Sequence, residues 1–317
     1  MHLLKFTLVI FSLLQITALQ AKQKISAPPP PKYLYVDECY DIGMFAEFNF
    51  ITGILYEFDM NPTKYSGVEI NFKKTGLYYV PDHGENWWNY FCEPICIGKP
   101  KGTKVKYFKK EDYIFDFPRY AYFIEAKLPR ERVNELIQKY IRVKKPILDK
   151  VKNFVDENFT SDYIISVHYR GTDKKSEAVI ISYDKIVANI KTYIFENGLD
   201  DYQIFVASDE ESFVNYMKEE FPGLIISYTT MRSNDGQALH VSKFTNEYHL
   251  GEDAIIDCLL LSKGDILFRT ASNLSLWSSF FNPTMPVVLI KERRNNSNTG
   301  NPKIDKNRKH HKIKRRN

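Results

Sequence analysis

The second half of the chain alternates between short apolar runs and longer amphipathic stretches. The run at 163–169 is β-branched and aromatic, which is typical of a buried strand, and apolar residues at 183–197 recur at helical spacing until Gly198. The same pattern predicts further strands at 203–207, 224–228, 266–269 and 287–290, and further helices at 210–221, 252–262 and 273–281. Strands that alternate with helices of this length form a parallel sheet covered on both faces. We therefore predict a doubly wound α/β domain.

The first half carries a weaker pattern. Apolar residues between Met44 and Phe58 share one helical face, which ends at Asn61-Pro62. The pattern further predicts strands at 68–72 and 77–80, an aromatic loop at 87–91, and charged amphipathic helices at 129–141 and 146–159 that bridge two lobes. We predict a second α/β domain in this half, but the pattern does not define the order of its strands.

Composition narrows the class of protein. A chain of 317 residues with 44% apolar, 15% aromatic and 26% charged residues is an ordinary globular protein of about two domains. The formal net charge of +5 is uneven, because residues 291–317 hold eleven Lys/Arg against two acidic residues. The remaining 33 Lys/Arg face 37 Asp/Glu, so the body is slightly acidic. A basic nucleic-acid-binding face is therefore not expected, and no specific nucleic-acid partner is predicted.

The two ends of the chain differ from the body. Residues 1–21 contain Lys5, an apolar core and Ala21 at a cleavage-like position, so they are interpreted as a signal peptide or a single membrane anchor, with a buried helix as the alternative. Residues 22–32 form a Pro-rich spacer. The basic tail, 295–317, is predicted to be disordered and could tether the protein to an anionic surface. We expect an exported or secretory-pathway protein.

The four cysteines do not form a metal-binding pattern, because a second pair of ligands at zinc spacing is missing from the sequence. Cys258 lies in an apolar run and is interpreted as a buried free thiol. Cys39 could pair with Cys92 or with Cys96 in an oxidising compartment, and the spacing favours neither pair.

Polar residues follow three predicted strands of the second half, at 168–174, 207–210 and 270–273. Ligands of open parallel sheets bind beyond the carboxyl ends of the strands, where helix N-termini also point. The planar guanidinium of Arg170 suits a phosphate and can stabilise a phosphate leaving group without a metal. Each feature also has a structural explanation, since Arg170 could pair with Asp173, His168 could be a satisfied core residue, and Asp209 and Ser272 could be helix caps. Together the three loops predict a phosphate-bearing ligand, such as a nucleotide.

Three segments of this region resemble the motifs of the fucosyltransferase superfamily. HYRGTDKKSEA (168–178), FVASDEES (205–212) and DCLLLSKGDILFRTASNLS (257–275) are similar to the motifs of core α1,6-fucosyltransferases and nodulation fucosyltransferases, which read roughly H-V-R-R-T-D-K, A-T-D-D and D-I-x-x-L-S-x-x-D…S-S. Order, separation and placement at strand ends agree over residues 162–290. The resemblance implies an α/β, GT-B-like fold of two Rossmann-like lobes, with the donor site in the C-terminal lobe. It also implies GDP-fucose as donor, inversion at the anomeric carbon, and neither a metal nor another cofactor.

The resemblance assigns roles in the first motif. Arg170 takes the place of the arginine that binds the β-phosphate and helps to expel GDP, and His168 occupies the neighbouring donor-site position. Asp173 and Lys174 match the pair that orders this loop. Glu177 matches the candidate general base only with a one-residue gap, so the acceptor proton would pass to Glu177 or to another carboxylate.

The resemblance also assigns residues of the second and third motifs. Asp257 matches the aspartate that recognises the guanine edge, and Asp209 aligns with the first acid of the second motif. Ser272 and Asn273 fall on the paired serines near the phosphates. The sequence departs from the pattern in that Asn273 replaces the second serine and Gly171 replaces the second arginine of the first motif.

The acceptor side is predicted in the first lobe. The segment 83–90 places Trp87 and Trp88 beside polar residues, a composition that can stack on sugar faces, although these rings could equally close the core of the lobe. Glu85 is a candidate acceptor-binding residue, and Asp82 and Glu85 are further candidates for the base.

The sequence therefore predicts an N-terminal acceptor-side α/β domain at 33–158 and a C-terminal nucleotide-sugar-binding domain at 159–294. The predicted activity is transfer of fucose, or a related sugar, from a GDP-sugar to a glycan or glycoconjugate. One alternative is a catalytically degenerate protein of the same fold that binds a GDP-sugar or a glycan, which Gly171 suggests. Another is a surface-tethered interaction protein that acts through its basic tail.

Overall fold

A computed structural model of the chain describes residues 31–37, 39, 42–98, 105–107, 128–171, 181–233 and 246–291. The first part contains strands β1 (Lys32–Val36), β2 (Tyr65–Ile70), β3 (Cys96–Gly98) and β4 (Val105–Tyr107) and helices α1 (Met44–Met60), α2 (Trp88–Phe91), α3 (Arg130–Tyr140) and α4 (Lys145–Asn158). The second part contains strands β5 (Tyr163–Tyr169), β6 (Tyr202–Ser208), β7 (Ile225–Ile226), β8 (Ile266–Arg269) and β9 (Val287–Leu289) and helices α5 (Tyr183–Asn197), α6 (Glu211–Glu220), α7 (Glu247–Leu261) and α8 (Asn273–Phe281).

The first part is built on a four-stranded sheet of order β3-β2-β1-β4, in which β1 is parallel to β2 and β4, and β3 is antiparallel. The predicted helix at 44–58 is confirmed as α1, and both predicted bridging helices are confirmed as α3 and α4. The strand predicted at 77–80 is wrong. Lys73, Lys74 and Gly76 have positive φ angles, so the chain turns there instead of continuing extended. The aromatic loop at 87–91 contains the short helix α2.

The second part is a five-stranded, fully parallel sheet of order β7-β6-β5-β8-β9. In the order of the chain this is 3-2-1-4-5, the arrangement of a doubly wound sheet, which confirms the predicted α/β class. The strand order reverses between β5 and β8. That position is where open parallel sheets form their ligand-binding crevice.

The two faces of this sheet have different neighbours. One face packs under α5 and α6, and its core includes Val167 of β5 and Phe268 of β8. The opposite face contributes Leu267 to a second core, which also contains residues of α7, α8 and the whole first part of the chain. Because side chains alternate along a strand, residues 166 and 168 of β5 and Arg269 of β8 lie on this second face. We call it the interlobe face.

Helix α1 joins the two lobes by packing against α8. Phe48 contacts Trp277 edge-on, with ring centroids 5.1 Å apart. Asn49 accepts a 2.6 Å hydrogen bond from Trp277 Nε1 and donates a 3.0 Å bond to Asn273 Oδ1. The polar groups buried between these helices are therefore hydrogen-bonded to one another, which fixes how α1 sits on α8.

The C-terminal end of α1 is tied to α3. Asp59 accepts hydrogen bonds from Lys139, Tyr140 and Arg132. Burial alone would raise the pKa of Asp59, but these three bonds hold it well below its usual range. The cluster therefore stabilises the ionised carboxylate and the α1–α3 contact together.

Across the described residues, no helix combines the length and hydropathy needed to span a bilayer.

Candidate functional site

The carboxyl ends of β5, β6 and β8 meet at one edge of the parallel sheet. Tyr169 pairs with Ser208 of β6, and His168 pairs with Arg269 of β8. The next residues along the three strands are therefore neighbours, and they come from the three loops that the sequence predicted to act together. The strand order reverses at this same place, so the sheet topology puts the candidate site at its crevice.

Arg170 is held at this edge by its neighbours on both sides. Its Nε lies 3.1 Å from Asp209 Oδ2, and its backbone N–H donates to Thr270 Oγ1 at 3.1 Å. The other oxygen of Asp209 accepts a 3.1 Å bond from the backbone N–H of Gly171. Asp209 thus orients both the guanidinium and the loop that carries it. The Arg170 side chain keeps 30% of its surface exposed, so it remains open to a ligand.

Arg170 also faces the first lobe. The hydroxyl of Tyr78, on the first lobe, accepts a 2.7 Å bond from the backbone N–H of Met44. Burial raises the pKa of Tyr78, and the Met44 bond and the charge of Arg170 oppose that rise. The guanidinium is therefore within electrostatic reach of the crevice wall formed by the first lobe.

Gly171 lies against the carboxylate of Glu210. A Cβ at this position would lie closer than 3.0 Å to that carboxylate, which is the far end of a flexible side chain and would have to shift. Glu210 is buried and accepts a 2.6 Å bond from the Tyr183 hydroxyl, while burial and this bond raise the pKa of Tyr183 to about 12. At the departure from the resembled motif, the chain therefore places a carboxylate beside Gly171.

His168 is buried beside two arginines. Burial lowers its pKa to about 3, with contributions from the charges of Arg170 and Arg269, so the imidazole is neutral at physiological pH. Its Nδ1 has no hydrogen-bond partner among the described residues. The interpretation of His168 as a satisfied core residue therefore does not hold for this nitrogen, which is able to bond to a ligand.

Asp257, on α7, is a second buried polar group without its full set of partners. Its Oδ1 has no hydrogen-bond partner in the described part of the chain. Burial raises its pKa to about 8; the charge of Arg232 opposes the rise and that of Asp253 adds to it. A buried carboxyl with an unpartnered oxygen is suited to accept hydrogen bonds from a ligand, because these bonds would replace the bonds to water that burial removes.

Arg232 was not identified from the sequence, since it lies in a long polar segment without a motif. It is 10% exposed, pairs with Glu211 Oε2 at 3.3 Å and donates to the Tyr228 carbonyl at 2.6 Å. The adjacent Ser233 donates its backbone N–H to the Asp209 carbonyl at 2.8 Å. This segment therefore closes the site on the side of β6.

Ser272 and Asn273, the two residues predicted to lie near the phosphates, have different surroundings at the start of α8. Ser272 is the N-cap residue of α8, but its side chain makes no capping bond, so the plain capping explanation is not supported. The Asn273 amide instead contacts Asn49 of the first lobe. The predicted cap at Asp209 is also wrong, because Glu210 occupies the N-cap position of α6 and makes no side-chain cap.

The predicted acceptor-side tryptophans belong to the core. Trp87 is 0% exposed and stacks on Phe72 with centroids 5.1 Å apart, and Trp88 is 1% exposed and packs against Phe48 at 4.7 Å. Neither ring can stack on a sugar unless the lobe opens, so their interpretation as a sugar platform is corrected in favour of the core alternative. Glu85 is exposed and pairs with Lys74 at 2.9 Å.

A different pair of rings lies nearby. The exposed His83 stacks on the half-buried Tyr248 of the second lobe, with centroids 4.1 Å apart and planes 12° apart. This pair could not be predicted from the sequence, because its two rings come from positions 165 residues apart.

Three predicted site residues, Asp173, Lys174 and Glu177, lie outside the described residues. Among the residues that are described, no group of three His, Cys, Asp or Glu side chains is placed to hold a metal ion. None of the four cysteines is in a disulfide bond, so neither possible pairing of Cys39, with Cys92 or with Cys96, is formed. The prediction of a buried thiol at Cys258 is confirmed.

The α/β fold with its parallel 3-2-1-4-5 sheet is similar to the GT-B-like fold of solved fucosyltransferase structures. No protein-family model matches the sequence, and no curated protein matches it either. Fucosyltransferase NodZ from Bradyrhizobium superposes with a TM-score of 0.51 at 13% identity, over 83% of this chain and 96% of that one. NodZ α-1,6-fucosyltransferase co-crystallized with GDP gives 0.50 at 12% identity over the same shares. The predicted fold is confirmed.

Proposed function

We propose that the protein is a glycosyltransferase that transfers fucose from GDP-fucose to a glycan acceptor, with inversion at the anomeric carbon and without a metal ion. The observation that carries this proposal is the placement of Arg170 at the switch point of the sheet. Asp209 aligns its guanidinium, which remains partly exposed, and the charge of Arg170 acts on Tyr78 of the first lobe. The co-crystallization of GDP with a NodZ structure of the same fold supports GDP as the nucleotide.

The residues around Arg170 fit the parts of such a reaction. As the bond between sugar and phosphate opens, negative charge develops on GDP, and a guanidinium fixed in advance stabilises that charge. Asp209 keeps the guanidinium in position through a 3.1 Å contact. Asp257 would accept hydrogen bonds from guanine N1 and N2, and neutral His168 would bond to the donor without adding charge. The acceptor hydroxyl would lose its proton to Glu177 or to another carboxylate of the crevice.

The test is sugar-nucleotide turnover by an Arg170→Ala variant of the full chain. We expect release of GDP from GDP-fucose to fall about 10²- to 10³-fold, the usual cost of removing a group that stabilises charge in the transition state. Arg142→Ala is the matched control, because Arg142 is exposed and its backbone carbonyl, which the substitution keeps, accepts a 2.7 Å bond from the Glu93 N–H. Turnover that is equal in Arg170→Ala and wild-type protein would rule out the mechanism.

A second candidate is a catalytically degenerate protein that binds GDP-sugars or glycans. Glu210 favours it, because its carboxylate occupies the space at Gly171 and adds negative charge beside the proposed diphosphate position. This candidate predicts a GDP-induced rise in melting temperature without GDP release from GDP-fucose, whether or not acceptors are present. Measurable release would exclude it.

The proposal also covers the location of the protein and its contact with an anionic surface. The signal-like segment 1–21 supports an exported or secretory-pathway protein, and the basic tail at 295–317 supports contact with an anionic surface. Deletion of 295–317 should leave turnover unchanged and weaken binding to anionic vesicles. The alternative of an interaction protein that acts through its tail predicts instead that this deletion abolishes partner binding.

A further inference from the structure

Arg269 is a buried arginine that neither the motifs nor the assigned roles explain. It ends β8 and is 2% exposed. Its backbone pairs with His168 across the switch point between β5 and β8. Because Leu267 points into the core between the lobes, Arg269 points to the same interlobe face. Arg269 and Arg170 therefore lie on either side of His168.

A guanidinium in such a place is unusual, because burying a charge is costly and a core position next to Phe268 would normally hold an apolar residue. Its Nη1 lies 3.5 Å from the carbonyl of Ser272, the N-cap residue of α8. Arg269 thus brings its charge to the N-terminal end of a helix, where the helix dipole also favours an anion. The charge of Arg269 and the dipole of α8 therefore both favour an anion at this edge of the sheet.

The pKa of His168 is consistent with two arginines beside it. The charges of Arg170 and Arg269 both lower the pKa of His168, in addition to burial. Two positive charges therefore act on a neutral imidazole that is 4% exposed and whose Nδ1 has no hydrogen-bond partner among the described residues. An anion that bonds to His168 from the crevice would be attracted by the charges of both arginines.

Residue 171 supplies no positive charge to the site, because it is a glycine where the resembled motif has its second arginine. Asp209 already pairs with Arg170. A diphosphate carries more negative charge than one paired guanidinium can offset, and β8 is the neighbouring strand on the other side of the crevice.

We propose that Arg269 supplies the second positive charge of the donor site and stabilises the diphosphate of the sugar nucleotide through the buried wall of the crevice. This inference rests on the proposed function and deepens it. Arg269 acts as a positioning and electrostatic residue, whereas Arg170 is the group that contacts the phosphate.

The test compares the affinity of the full chain for GDP with its affinity for guanosine, each measured by competition with a fluorescent GDP. The ratio of the two affinities isolates the diphosphate. Arg269→Gln should lower this ratio about 10- to 30-fold, as expected for one charge at ~8 Å in a medium of effective dielectric ~20. Arg269→Lys should keep it within about threefold at pH 7.5. Arg130→Gln is the control, since it also loses an arginine-to-carbonyl bond, the 2.8 Å contact with Met285.

A second measurement applies if Arg269→Gln does not fold. A buried lysine loses its proton more easily than an exposed one, whereas arginine stays charged. The ratio in Arg269→Lys should therefore fall about tenfold between pH 7.5 and 9.5, while the wild-type ratio stays constant. A ratio that is unchanged in Arg269→Gln, or that is flat with pH in Arg269→Lys, would overturn the assignment.

The proposed function fails separately. If wild-type protein does not bind GDP, or if Arg170→Ala turns over GDP-fucose normally, the enzyme proposal itself is wrong. If wild-type protein binds GDP, Arg170→Ala loses turnover, and the affinity ratio does not change in the Arg269 variants, only the role of Arg269 is refuted.

Discussion

The buried carboxyl of Asp257 should make nucleotide affinity depend on pH. In the ligand-free protein burial raises the pKa of Asp257 to about 8, so most molecules carry a neutral carboxyl at pH 7. Guanine N1–H and N2–H are donors and need the ionised form as acceptor. Binding below pH 8 therefore requires that a proton be released first, which weakens affinity by about tenfold for each pH unit.

The magnitude follows from the ionised fraction. With a pKa of about 8, this fraction rises from about 3% at pH 6.5 to about 76% at pH 8.5, so guanosine should bind about 25-fold more tightly at the higher pH. Guanosine is the appropriate probe, because it has no phosphate that titrates in this range. Calorimetry in buffers of different ionisation enthalpy should show release of nearly one proton per guanosine bound at pH 7.

Asp257→Asn is the variant that checks the cause. It should bind guanosine weakly and without pH dependence, because an amide cannot take the role of a two-point acceptor. It should also make the ligand-free protein more stable at pH 8. The pKa of Asp257 is raised on folding, so wild-type stability falls as pH rises from about 4 to 8, and the amide removes that fall. Affinity that is flat in wild-type protein, with no proton released, would refute the guanine-binding role.

Two further predictions concern structure around the site. Gly171→Ala should displace the Glu210 carboxylate, the flexible end of that side chain, and so lower stability by at most about 1 kcal/mol, and Glu210→Ala should relieve that loss. A double-mutant cycle by chemical denaturation measures the coupling, and additive effects would contradict the contact. Asp59→Asn should cost about 1–3 kcal/mol at pH 7, since it weakens bonds from Lys139, Tyr140 and Arg132. The pKa of Asp59 is lowered on folding, so the wild-type advantage should disappear as pH falls below about 4. Equal acid denaturation of the two proteins would count against the cluster.

The parts of the fold that the sequence predicted well are those whose signal is local. Periodic apolar residues and Gly198 located α5, whose C-cap is this glycine in the left-handed conformation. The strand at 77–80 failed because apolar residues there contact the lobe from a turn, with Tyr78 bonded to the start of α1. An apolar run does not distinguish these two arrangements.

Among the residues of the candidate site, too, those with a local sequence signal could be predicted and those that depend on tertiary packing could not. Arg170, Asp209 and Asp257 could be found because motifs mark them, and the sheet brings their strands together. Arg269 has no motif that marks it, and its meaning depends on the register of β8 against β5. The burial of Trp87 and Trp88 likewise depends on how Phe72 and Phe48 pack, which no local pattern reports.

The contact between α1 and α8 has a consequence for cooperativity. The first lobe and the interlobe face of the second lobe share one continuous core, and Trp277 lies within it against Phe48. Separating the lobes would expose this ring and its neighbours to water, so neither half has a complete interior of its own. Heating should therefore melt both lobes in a single transition, and the second lobe should be insoluble when it is produced without the first 158 residues.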